Sequence, residues 1–311
     1  MPGLRVLTQF GLVPAWKTVL RGAWPAALAV LLSGCVQGRP QMTQVTPPNL
    51  DLPEPRVNPD LVKTVRPSND RQWTPNQAVL PYAEIHGNEV TIHNVRNTTY
   101  RTATDYDVAH YDKTLDLGEL TSVDFVVVPF NDIPGVAHTM LSFGFGERDF
   151  VGVSVEIRKE RGEAYDPIKG FFRQYELIYV VGDERDLIQR NTIHYLCDVY
   201  VYRTRATPDQ ARALFLDVIQ RVNKLRREPE FYHTVTNNCT TNIRNHVNRV
   251  FPNRVPYDYR VLLPGYSDRL AYELGLLETD TSFERTRDRA RVSYQAYLYR
   301  DDPEFSVKIR R

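Results

Sequence analysis

Cysteine is scarce, three residues in 311 and none in a CxxC pair, which excludes a disulfide-stapled small fold and a cysteine-rich zinc site. Net charge is equally scarce. Lys+Arg 39 against Asp+Glu 38 leaves +1, so the basic field that holds nucleic acid is missing and no such partner is expected. No HExxH or other paired metal-ligand spacing, no phosphate-cradling loop and no dinucleotide fingerprint occurs, so neither a metal nor a cofactor is expected. After Cys35 no apolar run reaches the roughly 18 residues that a membrane-crossing helix requires. The hydrophobic share of 42% and the charged share of 25% are ordinary globular values, and they exclude fibrous or wholly disordered chains. A chain of 311 residues predicts one or two domains.

What is present begins at the N-terminus. Residues 1–22 carry Arg5, Lys17 and Arg21 with no acid, and Ala23–Gly34 is a short apolar run of signal-peptide length. The run ends in Leu32-Ser33-Gly34-Cys35, which resembles a bacterial lipobox with Cys35 as the lipidated first residue of the mature chain. Val36, rather than Asp, resembles the sorting pattern for the outer membrane. The expected organisation is therefore a signal peptide over 1–34, a lipidated Cys35 with a tether over 35–80, and one domain over 81–311. The tether is read from eight prolines among polar residues between 36 and 80, a composition that stays extended because it buries too little to offset ordering.

From residue 81 the chain turns aromatic and β-branched. Gly87-Asn88 between Ala83–His86 and Glu89–Asn94 predicts a hairpin. Leu120–Phe130 predicts a buried strand ended by Pro134-Gly135. His138–Phe145 and Phe150–Arg158 predict a second hairpin around Gly146–Asp149, and Gln174–Val181 and Tyr195–Tyr202 add two strands. Helices follow. Thr207-Pro208 opens an amphipathic stretch to about Arg226, Asn238 caps a helix from Cys239 to about Val250, and Ser267–Leu277 is a third. The pattern is α+β with a mostly antiparallel sheet.

Cys239 carries the chemistry in this reading. At the first turn of a helix the unpaired N–H groups and the dipole favour an anion, which lowers a thiol pKa and could hold an oxyanion. Asn237 and Asn238 are candidate side-chain donors to that oxyanion. Among seven histidines, His138 stands out as a base because it starts a strand after a Pro-Gly break, where a strand-borne imidazole can face a helix-borne thiol. If the hairpin turns around Glu147, Glu156 lies opposite His138 and is the candidate for fixing its tautomer, with Ser154 nominated if the register slips. His246, two turns along the helix from Cys239, lies about 10 Å away and reads as a surface or capping residue. His233 is the second-choice base.

At these residues the chain becomes recognisable. The segments AHTMLSFGF (137–145), SVEIRKERGEAYDPIKGFFRQYELIYVVGDERDLI (154–188), PEFYHTVTNNCTTNI (229–243) and PGYSD (264–268) resemble the Lnb N-terminal periplasmic domain family. That resemblance implies a papain-like domain of the circularly permuted NlpC/P60 type, with Cys239 as the acyl-accepting nucleophile and His138 as its base. It also implies a lipoprotein N-acyltransferase activity that moves a phospholipid acyl chain to an amine such as a lipoprotein N-terminus, in an outer-membrane lipoprotein facing the periplasm. The family's acyltransferase continues into membrane-spanning segments and this sequence shows none, so the substrate need not transfer with the thiol chemistry. Two other readings stay open: a cysteine peptidase or amidase acting on peptidoglycan, and a non-enzymatic structural lipoprotein with a Cys197–Cys239 disulfide.

Overall fold

The computed structural model describes residues 66–311 except Ala103, Asp132 and Tyr165. The signal-peptide, lipobox and Cys35 readings and most of the tether lie outside the described residues. Eight strands form the main sheet: β1 (Tyr82–His86), β2 (Glu89–Arg96), β3 (His110–Asp116), β4 (Leu120–Pro129), β5 (Ala137–Phe145), β6 (Asp149–Arg158), β7 (Glu176–Gly182) and β8 (Tyr200–Arg203). Their order is β1-β2-β7-β6-β5-β4-β8, with β3 on β2. Every pairing is antiparallel except the single parallel bridge between Arg96 and Gly182. The mixed α+β class with a mostly antiparallel sheet is as the sequence pattern predicts.

The sheet is covered on both faces, which is why β4 and β7 read as continuous apolar runs rather than alternating ones. On the first face Val123, Phe125, Val127, Leu141, Phe143 and Val153 pack against α2 (Pro208–Arg227) and α3 (Cys239–Val250). On the second, Val126, Val128, Met140, Ile178 and Val180 meet α1 (Glu184–Gln189) and the chain near Val292, Ala296 and Phe305. Alternation along a strand assigns the rest. On β5 and β6 odd-numbered residues face the first layer, while His138, Ser154 and Glu156 share the parity of Met140 and face the second.

Local chemistry sets the element ends. Thr207 accepts from Gln210 N–H at 3.3 Å and Gln210 returns to the Thr207 N–H at 3.0 Å, a reciprocal cap that starts α2. Gly87 takes φ +63° in the β1–β2 turn, where an L side chain is strained. The strand expected over Tyr195–Tyr202 is shorter. Asn191 and Thr192 bond back to the Leu187 and Ile188 carbonyls at 2.8 and 3.1 Å, which prolongs the helical turn to His194 and leaves only Tyr200–Arg203 to pair with β4. The third helix likewise ends early: α4 spans Ser267–Glu273, followed by Gly275 at φ +65°.

Residues 66–80, which the proline count assigns to the tether, are packed onto the domain. Trp73 is buried and Gln77 donates to the Ile157 carbonyl at 2.8 Å. No helix among the described residues is long and apolar enough to cross a membrane.

Candidate active site

Asn238 builds the position of Cys239. Its carboxamide oxygen accepts from Thr241 N–H at 2.8 Å, and the Thr241 hydroxyl accepts from Asn238 N–H at 2.8 Å. Its carbonyl accepts from Asn242 N–H at 3.0 Å. Of the four N–H groups that open a helix, two are thus satisfied, and those of Cys239 and Thr240 have no acceptor among the described residues. The asparagine side chains do something other than the sequence suggested. Asn237 Nδ2 donates to Phe231 O at 2.8 Å and Asn238 Nδ2 to Thr234 O at 2.6 Å. Both amides close the loop before the cysteine instead of reaching over the sulfur, and the Thr240 hydroxyl lies 3.7 Å from it.

The β5–β6 ladder keeps the predicted register, with Met140 opposite Ser154, and stops there. Beyond that pair β5 runs on to Ala137 and β6 to Arg158 without pairing to each other. Cys239 belongs to the first-face core, while His138 springs from the second-face side of β5. The open ladder is where they meet. Thr139, on the first face with Cys239, favours the charged sulfur through its hydroxyl and its N–H, and its hydroxyl lies 3.0 Å from that of Thr240.

On the second face His138 Nε2 lies 2.7 Å from Ser154 Oγ, and Ser154 Oγ donates to Glu156 Oε1 at 2.9 Å. A carboxylate only accepts, so the serine proton points at Glu156 and its lone pair takes the His138 Nε2–H. The imidazole is then the tautomer whose Nδ1 carries no proton, and its hydrogen bond and charge act on the Cys239 thiol. Glu156 does not touch His138 directly, as a simple cross-strand pair would; Ser154, fully buried, stands between them. Gln77 Nε2 at 3.1 Å and Arg190 at 3.8 Å hold the other carboxylate oxygen. Burial pushes the Glu156 carboxyl up, but the charges of Arg96, Arg190 and His138 outweigh it and hold it at about 2.

The thiol and imidazole shift in complementary directions. Burial raises the Cys239 thiol, yet the hydrogen bond and charge of His138, with the Thr139 donors, bring it down to about 6. Burial lowers His138, and the sulfur and Glu156 more than reverse this, leaving it above its ordinary value. The two shifts are in the directions that favour a thiolate, the nucleophilic form, beside an imidazolium.

The remaining candidates fall elsewhere. His233 Nδ1 accepts from Val235 and Thr236 N–H at 3.2 and 3.1 Å, which closes the preceding turn rather than serving the thiol. His246 is buried, not a surface residue. Its Nε2 meets Tyr179 Oη at 2.7 Å, and Tyr179 donates to Asn242, which in turn donates to Asn237 Oδ1 at 2.9 Å. It braces the cysteine loop from behind. Cys197 and Cys239 form no disulfide; Cys197 packs on the second-face cluster with the sheet between them, so the bridge of the structural reading is not formed. Sequence reasoning missed Thr139 and Thr240; a hydroxyl beside each partner of the pair was the available signal.

A pocket of about 500 Å³ lies on the first face, lined by Thr240, Ile243, Val247, Phe125, Leu141 and Ala271 among others. The segment that matches a known family brackets all these residues except Gln77, Arg96 and Ala271. Neither a curated protein nor a solved structure matches the chain. The family model of the Lnb N-terminal periplasmic domain matches residues 107–265, about half of the sequence and every residue from His138 to Cys239, and the chain belongs to that family.

Proposed function

We propose that this protein is a thiol acyltransferase of the periplasmic face of the outer membrane, anchored by lipid at Cys35 and built on a permuted papain-like arrangement. The observation that carries the proposal is the Cys239–His138 pair at a helix N-terminus, with Ser154 and Glu156 behind the imidazole. A helix-borne thiolate facing a strand-borne imidazole is the arrangement expected for acyl transfer through a thioester. The sulfur attacks the carbonyl carbon of a phospholipid ester. The tetrahedral oxyanion is met by the free N–H groups of the first turn of α3. Collapse breaks the C–O bond, and His138 gives its proton to the departing alkoxide. An amine then attacks the thioester, His138 takes the proton from the amine nitrogen, and the amide leaves as the thiol is restored.

The test uses the lipidated mature protein with phospholipid vesicles and a diacylated lipopeptide that has a free N-terminal amine. Mass spectrometry should find the lipopeptide gaining one acyl chain, with a thioester on Cys239 trapped before the amine is added. Cys239→Ala should abolish both. Activity that survives in Cys239→Ala would overturn the proposal, and release of soluble peptidoglycan fragments in place of acyl transfer would replace it with an amidase.

A further inference from the structure

We propose that the end of the domain that carries Cys239 and His138 docks onto a phospholipid bilayer through the apolar tips of the loops around it. The inference rests on the acyl-transfer reading for its anchor at Cys35, and it gives that site its membrane partner. The strand registers place Pro129 opposite Ala137, Arg158 opposite Glu176 and Tyr200 opposite Val127, so the segments 130–136, 159–175 and 195–199 all leave the sheet at one end. The helix α3 begins at that end too, because Thr240 bonds Thr139. Phe130, Phe171, Phe172, Tyr195 and Leu196 sit on these segments and are exposed, Phe172 by 65% and Leu196 by 75%. Single exposed apolar residues are ordinary on a protein surface, whereas several gathered at one end mark an interaction surface.

The tips lie on either side of the thiol. On the β7 side Phe171 and Phe172 meet edge to face at 5.5 Å, and Phe171 lies 5.4 Å from the ring of His233. Thr234 N–H donates to the Gly170 carbonyl at 3.3 Å, and the Thr234 carbonyl accepts from Asn238, so the pair is held by the loop that sets Cys239. Arg173, at φ +55°, follows the short helix Pro167–Phe171 in the left-handed conformation, and Gln174 N–H turns back to the Lys169 carbonyl at 3.0 Å, which leaves both rings at the tip. On the β4 side Asn131 donates to the Leu196 carbonyl at 3.0 Å and joins the segments 130–136 and 195–199.

Three observations favour a bilayer over a protein partner. The apolar tips are separate, one or two side chains on each segment with the thiol site between them; a bilayer takes up such tips without the continuous complementary surface that a protein needs. Exposed Arg173 directly follows the phenylalanine pair, and a cation beside buried rings suits anionic headgroups. The chain from Cys35 joins the domain at this same end, where Ser68 N–H donates to Glu176 at 3.2 Å and Trp73 bridges to Glu160. Roughly 30 residues separate Cys35 from Arg66, at most about 100 Å of chain, so an anchor at Cys35 keeps this end within reach of its own membrane and a weak attraction suffices to dock it.

The experiment uses the mature chain with Cys35→Ser, which carries no lipid, and vesicles of phosphatidylethanolamine with a minority of phosphatidylglycerol, part of the lipid brominated on its acyl chains. Phe172→Trp should shift its emission to shorter wavelength and be quenched by the bromine. Glu147→Trp, exposed in the β5–β6 turn at the opposite end of the same strands, should do neither. Trp73 is the one tryptophan after Cys35 and is buried, so it adds a constant background. Phe172→Ser combined with Leu196→Ser, one side chain from each side of the site, should lower the vesicle partition coefficient roughly tenfold or more, with Cys239 alkylation in solution within about twofold of the parent. A parent that stays off the vesicles, a partition unchanged in the double variant, or equal quenching at both ends would overturn the docking. A dimer in light scattering that the double variant abolishes, with no vesicle binding, would assign this end to a second copy of the chain instead. Docking without acyl transfer to the lipopeptide would overturn the acyl-transfer reading alone, and acyl transfer without insertion of residue 172 would overturn the docking alone.

Discussion

Ser154→Ala should detune the thiol without removing either of the reacting groups. In the parent the serine takes the His138 Nε2–H at 2.7 Å and passes its own proton to Glu156 at 2.9 Å. Alanine leaves a fully buried imidazolium N–H with no acceptor and separates it from the carboxylate. A hydrogen bond to a charged group contributes about 1.5–3 kcal/mol. At about 1.4 kcal/mol per pH unit, the thiolate–imidazolium pair should then form about one to two pH units later. The parent thiol lies at about 6, so the variant should titrate near 7 to 8. At pH 6 the thiolate fraction falls from about a half to about a tenth or a hundredth, a loss of roughly five- to fiftyfold in alkylation rate, while at pH 9 the two proteins converge. The assay is iodoacetamide labelling against pH, followed at the Cys239 peptide because Cys197 is a second cysteine outside any disulfide. Glu156→Gln should shift the profile in the same direction, since the relay ends on that carboxylate. A Ser154→Ala profile that superimposes on the parent would refute the relay. If Ser154→Ala shifts and Glu156→Gln does not, the chain ends at the serine.

Three further outcomes are expected. Asp186 takes Arg96 Nε and Nη2 at 2.9 and 2.8 Å and Thr98 N–H at 2.7 Å, all buried; Asp186→Ala strands that guanidinium and should cost about 3–5 kcal/mol in urea unfolding, so a loss below about 1 kcal/mol would contradict the assignment. Gly265→Ala would set a Cβ 2.8 Å from the Gly135 carbonyl carbon, forcing apart the turn that leads into His138; a stability loss of about 1–3 kcal/mol with slower alkylation at pH 6 is expected, and unchanged alkylation would show that the turn does not position the imidazole. Glu156 has a folded pKa of about 2 against an ordinary 4.5, so its charged form stabilises the fold above about pH 4.5 and this stabilisation, up to about 3 kcal/mol, is lost as pH falls toward 2; Glu156→Gln should remove that acid limb from a denaturation series between pH 5 and 2, and an identical limb in both proteins would assign it to other carboxylates.

Features written in a few neighbouring residues were legible in the sequence. Asn238 and Thr241 fix the start of α3, and the Gly146–Asp149 turn fixes the β5–β6 register, because capping and hairpin geometry depend on local spacing. Features that need a distant partner were not. Spacing along α3 separates His246 from Cys239 correctly but cannot show that Tyr179 and Asp217 bury it. The strand β3 alternates polar residues against β2 and has a weak apolar signal. Gln77 sits in a proline-rich stretch whose composition gives no hint that its amide reaches Glu156. Ser154 lies between Val153 and Val155, and only the open ladder shows why a hydroxyl belongs there.

The interrupted ladder also explains how the two halves of the site can be specialised. A continuous β5–β6 pairing would seal the sheet, and the residues on its two faces would never meet. Ending it at Met140 and Ser154 lets the sulfur remain in the first layer, at a helix N-terminus, while the imidazole is held from the second layer by Ser154 and Glu156. The carboxylate that favours the imidazolium and must stay ionised is thereby kept away from the apolar residues of the first layer. Sharing one face would spoil this division: burying Glu156 among Ile243, Val247 and Leu141 would raise its pKa and weaken its support of the base.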